Sequence, residues 1–377
     1  MSLLVRSSAV ACLALGVGLV AAPAASADTR HNARDVVFVQ NDALSGNAVV
    51  AFDRGGDGAL HQAGVYPTGG LGGALTGAVV DHTASQGALT ADRGDRELYA
   101  VNAGSNTLSS FKVRGDRLEL RQVVASGGSF PVSVTVHDDV VYVLNARDGG
   151  SIQGFRNSYG RLVSVPAWHR ELGLPVTTGS AEFTHTPGQV LFSPDGRRLL
   201  VTTKGASNSL LVFGVSRSGR PSDAPVVHTE DGAVPFAMDF DRYGRLAVTN
   251  TGTNSVETYR VGRDGVLTSL GLAATGQAAT CWIAIDGTLL AASNAGSGTV
   301  TTLRTNPAGA VTKIADAATA GGGTVDASFS RDGDQLYVQT GATGAVDTFT
   351  VNDDGTLTRT STVTVPDAVG GEGIVAW

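Results

Sequence analysis

One histidine and one glutamate in a long loop have the residue types that acid–base chemistry requires. His185 lies three residues after Glu182 and two residues before Pro187. An imidazole takes up and releases protons near neutral pH, and a neighbouring carboxylate can hold its ring in one tautomer. We therefore expect His185 to be a general base that Glu182 orients. The alternative is a loop histidine that makes only structural hydrogen bonds.

Five further polar residues are candidates because the repeat described below brings them to the same end of the molecule. Glu372 is a carboxylate at a position where the other repeats have neutral residues. We predict that it is a third catalytic residue, and that Asp326 and Gln86 contribute to substrate binding. Arg147 and Lys204 are the cations that could bind an anionic ligand or stabilise an oxyanion.

A calcium site is another use of the acidic residues. Glu182, Asp326 and Glu372 carry the hard oxygen ligands that Ca²⁺ prefers. No ligand-spacing motif supports such a site, and the Asp-Gly pairs of this chain are typical of tight hairpin turns. We therefore predict no cofactor, with calcium as the alternative.

A sevenfold repeat must position these residues. Apolar runs that end in Asn or Thr recur, for example 43 residues apart at Asn102 and Asn145. The seven runs are Val36–Asn41, Leu98–Asn102, Val141–Asn145, Leu199–Thr203, Leu246–Asn250, Leu290–Asn294 and Leu336–Thr340. Each repeat divides into four short apolar or alternating segments, separated by turn residues. Four antiparallel strands in about 45 residues are typical of a β-propeller blade.

The two ends of the repeat complement each other. The first run, Val36–Asn41, has the pattern of a second strand, whereas the last segment, 373–377, has the pattern of a first strand. Together they complete one blade. We predict an all-β, seven-bladed propeller with four antiparallel strands per blade, in which the C-terminal strand pairs with the N-terminal strands and closes the ring. Residues 28–377 form this single domain.

Strand direction decides which loops share a face. We name the strands of a blade A to D from the axis outward. Because neighbouring strands are antiparallel, the B–C loops and the D-to-A crossovers lie on one face. Two crossovers, 68–85 and 169–187, are unusually long, and long loops in compact domains often carry function. We expect the site at the mouth of the central channel on this face.

The first 27 residues have the organisation of an export signal. Arg6 precedes an apolar stretch at 9–22, and Ala25-Ser26-Ala27 fits a small-residue cleavage site. A lipoprotein signal at Cys12 is the alternative, although most of the apolar stretch follows that cysteine. We predict removal of residues 1–27 and a secreted, extracellular protein.

Composition excludes several partners. The chain has a formal net charge of −7 and no cluster of Lys and Arg, which argues against binding to nucleic acid. No long apolar stretch follows the signal, so we expect no membrane association after cleavage. Cys281 is then the remaining cysteine, which excludes an intrachain disulfide. We expect a monomer.

Two motifs resemble a known family. The segment Tyr99–Asn106 and the turn Phe192–Arg197 resemble YVTN-type, lactonase-like seven-bladed propellers. This family includes propeller-type 6-phosphogluconolactonases and 3-carboxy-cis,cis-muconate lactonizing enzymes. Its enzymes carry a histidine-containing stretch just before an innermost strand, with arginines and a glutamate nearby. The comparable stretch of this chain is Thr184–Val190, which contains His185.

Two functions follow as expectations. The first is an enzyme that hydrolyses a small-molecule lactone, or forms one as a cycloisomerase does, with its site at the channel mouth. The second is a non-catalytic extracellular module that presents its loop face to a cell-surface ligand. The resemblance implies the first, whereas the fold alone is compatible with both.

Overall fold

The computed structural model describes residues 36–158 and 160–377, and the predicted signal segment lies outside these ranges. The described strands form seven antiparallel sheets, each with a path of four strands. These sheets are the blades of a seven-bladed propeller, which confirms the predicted fold.

The strand bounds follow the repeat. Blade 1 contains β1 (Val36–Gln40), β2 (Ala48–Arg54), β3 (Leu60–Pro67) and the C-terminal β29 (Ile374–Ala376). Blade 2 contains β4 (Leu89–Asp92), β5 (Glu97–Asn102), β6 (Thr107–Arg114) and β7 (Arg117–Ala125). Blade 3 contains β8 (Pro131–His137), β9 (Val140–Asn145), β10 (Ser151–Ser158), β11 (Arg161–Ser164) and the short β12 (Arg170–Glu171). Blade 4 contains β13 (Gln189–Phe192), β14 (Arg198–Thr202), β15 (Ser209–Gly214) and β16 (Val226–Thr229).

The remaining three blades are regular. Blade 5 contains β17 (Pro235–Phe240), β18 (Leu246–Asn250), β19 (Ser255–Val261) and β20 (Leu267–Ala274). Blade 6 contains β21 (Thr280–Asp286), β22 (Leu289–Asn294), β23 (Thr299–Thr305) and β24 (Val311–Ala318). Blade 7 contains β25 (Thr324–Phe329), β26 (Gln335–Thr340), β27 (Ala345–Val351) and β28 (Leu357–Thr364). Short 3₁₀ helices lie at Ala103–Ser105, Pro166–Trp168, Gly179–Thr184 and Lys204–Ala206.

The ring closes between the two ends of the described chain. Strand β29 pairs antiparallel with β1, and Val39 lies opposite Ile374 in this register. The rings of Trp377 and Phe38 pack edge to face, with 6.2 Å between their centroids. Edge-to-face packing of buried aromatic rings adds to the hydrogen bonds of the strand pair. The predicted closure is therefore confirmed.

Apolar side chains are buried mainly between neighbouring blades. One such cluster includes Phe38, Leu98, Phe111 and Trp377, which come from blades 1 and 2. The second strand of a blade is almost entirely buried, as in β5, whereas the outermost strand alternates between exposed and less exposed residues, as in β7. This difference follows from position, because an outer strand packs on one side and meets water on the other.

Asparagines of the B–C loops fix the crossovers that lead to the channel. The side-chain oxygen of Asn106 accepts the backbone N–H of Phe130 (2.7 Å), and that of Asn208 accepts the N–H of Val234 (3.2 Å). Phe130 and Val234 have φ angles of 61° and 52°. Residues with these side chains rarely adopt the left-handed region, so the strain is held by the surrounding contacts. Each crossover therefore enters its innermost strand at a fixed angle.

Within the described residues, no helix has the length and apolar character needed to cross a membrane.

Candidate functional site

A long connection fills the channel mouth on the crossover face. Residues 68–88 join β3 to β4, and we call them the plug segment. His82 donates its backbone N–H to Gly370 O (2.8 Å), and the Trp282 indole N–H donates to Ser85 O (2.6 Å). These partners belong to the crossover into blade 1 and to blade 6, so the segment lies across the axis. The channel mouth, where the sequence predicts the site, is thus covered by the chain itself.

Lys204 lies under the plug segment, whereas the sequence suggested a loop cation available to ligand. Its side chain is 1% exposed. Nζ donates to Ala84 O (2.7 Å), Phe183 O (2.6 Å) and Thr186 Oγ1 (3.1 Å). Burial lowers the pKa of Lys204 to about 7, and the nearby Asp81 carboxylate offsets this effect only in part. Its three acceptors match the three donors of an ammonium group, so Lys204 fastens the plug to the neighbouring crossover.

A small pocket lies beside the plug on the same face. It has a volume of about 200 Å³ and is lined by residues of the blade 3 B–C loop, 146–149, and of the crossover 174–187. Arg147, Glu182 and His185 all contribute to its walls. We call this cavity the outer pocket. Three of the residues predicted from the sequence therefore share one cavity.

Within the outer pocket, Arg147 and Glu182 form an ion pair. Arg147 Nε lies 2.7 Å from Glu182 Oε1, and the backbone N–H of Thr76 donates to Oε2 (2.7 Å). Burial alone would raise the pKa of Glu182, but these hydrogen bonds outweigh it and lower the pKa to about 2. The guanidinium also stacks over the Phe130 ring at 4.3 Å. Glu182 therefore orients Arg147 rather than His185, which corrects the expected pairing.

A backbone carbonyl takes the orienting role at His185. Its Nδ1 lies 3.1 Å from Ala181 O and 2.8 Å from Thr184 Oγ1. A proton on Nδ1 satisfies the carbonyl, and this assignment leaves the lone pair on Nε2. Among the described residues, Nε2 has no hydrogen-bond partner. With the proton assigned to Nδ1, Nε2 is the ring atom that could accept a proton from water.

A second, larger cavity occupies the channel below the plug. It has a volume of about 530 Å³ and extends from Gln86 and Asp326 to the A–B turn at Ser330, on the opposite face. We call it the central cavity. The amide of Gln86 is fixed at its upper end, because it donates to Ile283 O and accepts from Ile283 N (both 2.9 Å). Gln86 therefore links the plug to blade 6.

Asp326 and Glu372 form an acid pair at this upper end. Glu372 is fully buried, and its carboxylate accepts the N–H groups of Gly87 (2.9 Å) and Ala88 (3.1 Å). Asp326 accepts the N–H of Ile374 (3.2 Å), and the two carboxyl groups hydrogen-bond to each other. Burial raises the pKa of Asp326 to about 7 and raises the pKa of Glu372 well above its ordinary value. The pair thus retains a proton near neutral pH.

The predicted constellation is therefore divided between two cavities. Arg147, Glu182 and His185 line the outer pocket, whereas Asp326 lines the central cavity next to the buried Glu372. The three acids proposed for calcium do not converge. No cluster of three or more metal-ligating side chains occurs in residues 36–158 and 160–377.

Four polar residues of the central cavity were not predicted from the sequence: Arg93, Gln189, Asp239 and Arg331. Arg93, Asp239 and Arg331 lie at the ends of innermost strands or in the A–B turns that follow, and this shared position is the signal that would have identified them. Gln189 is the first residue of β13 and carries no such signal.

A family model described as lactonase, seven-bladed beta-propeller, matches residues 171–284 and 248–373. These overlapping matches span more than half of the chain. The protein therefore belongs to this lactonase family of seven-bladed propellers.

Solved structures show the same fold. A Lactobacillus plantarum protein is 18% identical, with a TM-score of 0.74 and coverage of 90% of this chain and 98% of that one. The periplasmic gluconolactonase of Pseudomonas aeruginosa is 19% identical, with a TM-score of 0.69 and coverage of 90% and 98%. A Bacteroides fragilis protein provisionally assigned as a 6-phosphogluconolactonase is 18% identical, with a TM-score of 0.69 and coverage of 92% and 98%. No curated protein matches the chain.

Proposed function

We propose that the protein is a secreted lactone hydrolase and that ring opening takes place in the outer pocket. The observation that carries the proposal is that His185, whose Nε2 has no partner among the described residues, lines the same small cavity as Arg147, whose guanidinium is held by Glu182. Membership of the lactonase family supports the reaction class. The likeness to a periplasmic gluconolactonase is compatible with an exported protein.

The chemistry requires one base and one cation. Nε2 of His185 takes a proton from water, and the water oxygen attacks the lactone carbonyl carbon. Negative charge develops on the carbonyl oxygen, where the guanidinium of Arg147 stabilises it. The intermediate collapses with cleavage of the ring C–O bond, and the imidazolium returns its proton to the leaving alkoxide. The product is a hydroxy acid.

Hydrogen bonds hold both His185 and Arg147 in place for this reaction. The hydrogen bond from Nδ1 to Ala181 O stabilises the imidazolium that forms during the reaction. The bonds from Arg147 to Glu182 hold the guanidinium plane, so little reorganisation is needed when the oxyanion forms. The same groups would serve closure of a hydroxy acid to its lactone, because this reaction is the reverse of hydrolysis and passes through the same transition state.

The size of the outer pocket limits the substrate. Its volume of about 200 Å³ is smaller than a drug-sized site, which spans roughly 300–1,000 Å³. A single five- or six-membered lactone ring with hydroxyl substituents is the class that such a pocket accommodates. We therefore favour aldonolactones over large or polymeric esters.

A non-catalytic binding propeller is the second candidate. The charge of Arg147 is balanced by Glu182, and the plug makes the crossover face continuous over the axis. A rigid surface of this kind suits recognition of an extracellular ligand as well as catalysis.

A substrate panel distinguishes the two candidates. Acid release by the mature protein is followed in a pH-stat with five- and six-membered aldonolactones, and spontaneous opening is subtracted with heat-inactivated protein. We expect saturable hydrolysis of at least one small lactone. Absence of enzyme-dependent acid release across the panel would favour the binding module instead.

A further inference from the structure

We propose that the central cavity is a second ligand site, separate from the outer pocket, which binds a small sugar acid through its carboxylate and its hydroxyl groups. This site opens at the A–B turns, on the face opposite the outer pocket. The proposal does not depend on lactone hydrolysis.

The cavity has the size and construction of a small-molecule site. Its volume of about 530 Å³ lies within the roughly 300–1,000 Å³ that is typical of ligand pockets. Innermost strands of several blades form its wall, and Ile283, Met238 and Leu191 supply apolar surface between the polar groups. Because the wall is made of paired strands, the cavity is preformed.

Two guanidinium groups at the entrance point to an anion. Arg93 and Arg331 lie in the A–B turns of blades 2 and 7 and line the same cavity. Burial lowers the pKa of Arg93, and the positive charge of Arg331 lowers it further, so the two groups lie close enough to repel each other. Arg93 donates to Ala376 O, whereas Arg331 has no ion-pair or hydrogen-bond partner among the described residues. A carboxylate relieves this repulsion and matches the guanidinium geometry. Asp286, on the same rim, disfavours a ligand of high negative charge.

Deeper in the cavity, donors and acceptors match hydroxyl groups. Gln189 is 4% exposed, and its Oε1 accepts the N–H of Met238 (2.6 Å), but its Nε2 has no partner among the described residues. Asp239 accepts the N–H of Phe240 through Oδ1 (2.7 Å), which leaves Oδ2 available to a ligand. Each hydroxyl of a sugar both donates and accepts, so a neighbouring amide and carboxyl group are suitable partners.

The upper end of the cavity does not repel an anion strongly. Asp326 and Glu372 lie there as a hydrogen-bonded pair, and burial raises the pKa of both groups. Near neutral pH the pair therefore carries less than its full negative charge. The resulting arrangement has cations at the entrance and hydroxyl-binding groups inside, which favours a monosaccharide with one carboxylate over a neutral sugar.

Calorimetric titration with D-glucuronate tests the site, because this sugar acid is not a lactone. We compare the wild type with Arg331→Gln and with Arg242→Gln, which removes an exposed arginine from the A–B turn of blade 5 outside the cavity. Arg331 is exposed and makes no described contact, so its replacement preserves the fold. We expect glucuronate to bind at least about tenfold more tightly than D-glucose, and Arg331→Gln to weaken binding by about tenfold or more.

Two matched variants complete the test. Arg242→Gln and His185→Gln should bind glucuronate as the wild type does, because neither residue lines the central cavity. Absence of glucuronate binding by the wild type would overturn the proposal, as would equal binding by Arg331→Gln or a loss of binding in His185→Gln. Loss of hydrolysis in His185→Gln with unchanged glucuronate binding would separate the two sites.

Discussion

Arg147 Nε lies 2.7 Å from Oε1 of Glu182, and this contact joins the B–C loop of blade 3 to the crossover that enters blade 4. The other carboxylate oxygen of Glu182 accepts the N–H of Thr76 in the plug segment. One carboxylate thus connects two blades and the plug at the wall of the outer pocket. The negative charge of Glu182 therefore stabilises this wall and keeps its residues in place.

Replacing Glu182 with Gln should destabilise the protein by about 1–2 kcal/mol at pH 7, because the ion pair with Arg147 is lost and the hydrogen bonds accepted from Arg147 and Thr76 become weaker. The pKa of Glu182 is lowered to about 2 in the folded state. Its stabilising effect is therefore fully present above the ordinary pKa of the unfolded chain and is lost as the pH falls through 2. Urea unfolding of both proteins between pH 3 and 7 measures this difference. A difference that is absent at pH 7, or that grows towards pH 3, would contradict the assignment.

Replacing Lys204 with Met should loosen the plug segment. The change leaves three acceptors, Ala84 O, Phe183 O and Thr186 Oγ1, without their donor, and each acceptor that stays buried and unpaired costs about 1–3 kcal/mol. Hydrogen–deuterium exchange should become faster in residues 68–88 and remain unchanged in β23 and β24, the outer strands of blade 6. Lys112→Met is the control, since Lys112 makes an exposed contact. Unchanged exchange of the plug in Lys204→Met would show that Lys204 does not hold it.

Replacing Asp239 with Asn should make stability less dependent on pH. Burial raises the pKa of Asp239 to about 7, so between about pH 4 and 7 the folded state binds more protons than the unfolded state. Stability contributed by this group is therefore greatest below pH 4 and is lost as the pH rises through 7. We expect Asp239→Asn to be more stable than the wild type at pH 8 by on the order of 1–2 kcal/mol. The gain is limited to this size because the cavity admits water, which reduces the cost of the buried charge. At pH 4 the gain in stability should be smaller, because Asp239 of the wild type is then protonated. Thermal unfolding at the two pH values measures this, and an equal shift at both would be inconsistent with a raised pKa.

Replacing Trp377 with Ala should weaken ring closure. Trp377 is 5% exposed and packs on Phe38, so its removal leaves a cavity where the last strand meets the first. Loss of a buried tryptophan costs about 3–5 kcal/mol. Tyr243→Ala, in an exposed turn, is the control and should change stability by less than about 1 kcal/mol. Urea unfolding gives both values, and equal effects would argue that the terminal strand contributes little to closure.

The fold was predictable because every repeat carries the same local pattern. In blade 5 the sequence predicts strands at 236–240, 245–249, 255–261 and 266–273, and the observed strands are Pro235–Phe240, Leu246–Asn250, Ser255–Val261 and Leu267–Ala274. Turn residues fix the ends of each strand, and apolar residues fix the buried faces. Ring closure followed from the incomplete patterns at the two ends.

The site was only partly predictable. Antiparallel strand order placed Arg147, Glu182 and His185 on one face, and all three line the outer pocket. The plug segment has no periodic pattern, and its contacts join distant residues, such as Ser85 with Trp282. Its path across the axis could not be derived from local sequence, so the burial of Lys204 and the covering of the channel mouth were missed. Secretion, the monomeric state and the absence of a cofactor remain predictions.

If His185 is the general base, its replacement must lower the kcat/KM for lactone hydrolysis, and His185→Gln measures this effect. His169→Gln is the matched control, because His169 is another crossover histidine and bonds to Glu171 outside the outer pocket. We predict that His185→Gln lowers kcat/KM by at least about a hundredfold through kcat with unchanged Tm, whereas His169→Gln leaves it unchanged. Hydrolysis by His185→Gln at the wild-type rate would show that His185 is not the general base.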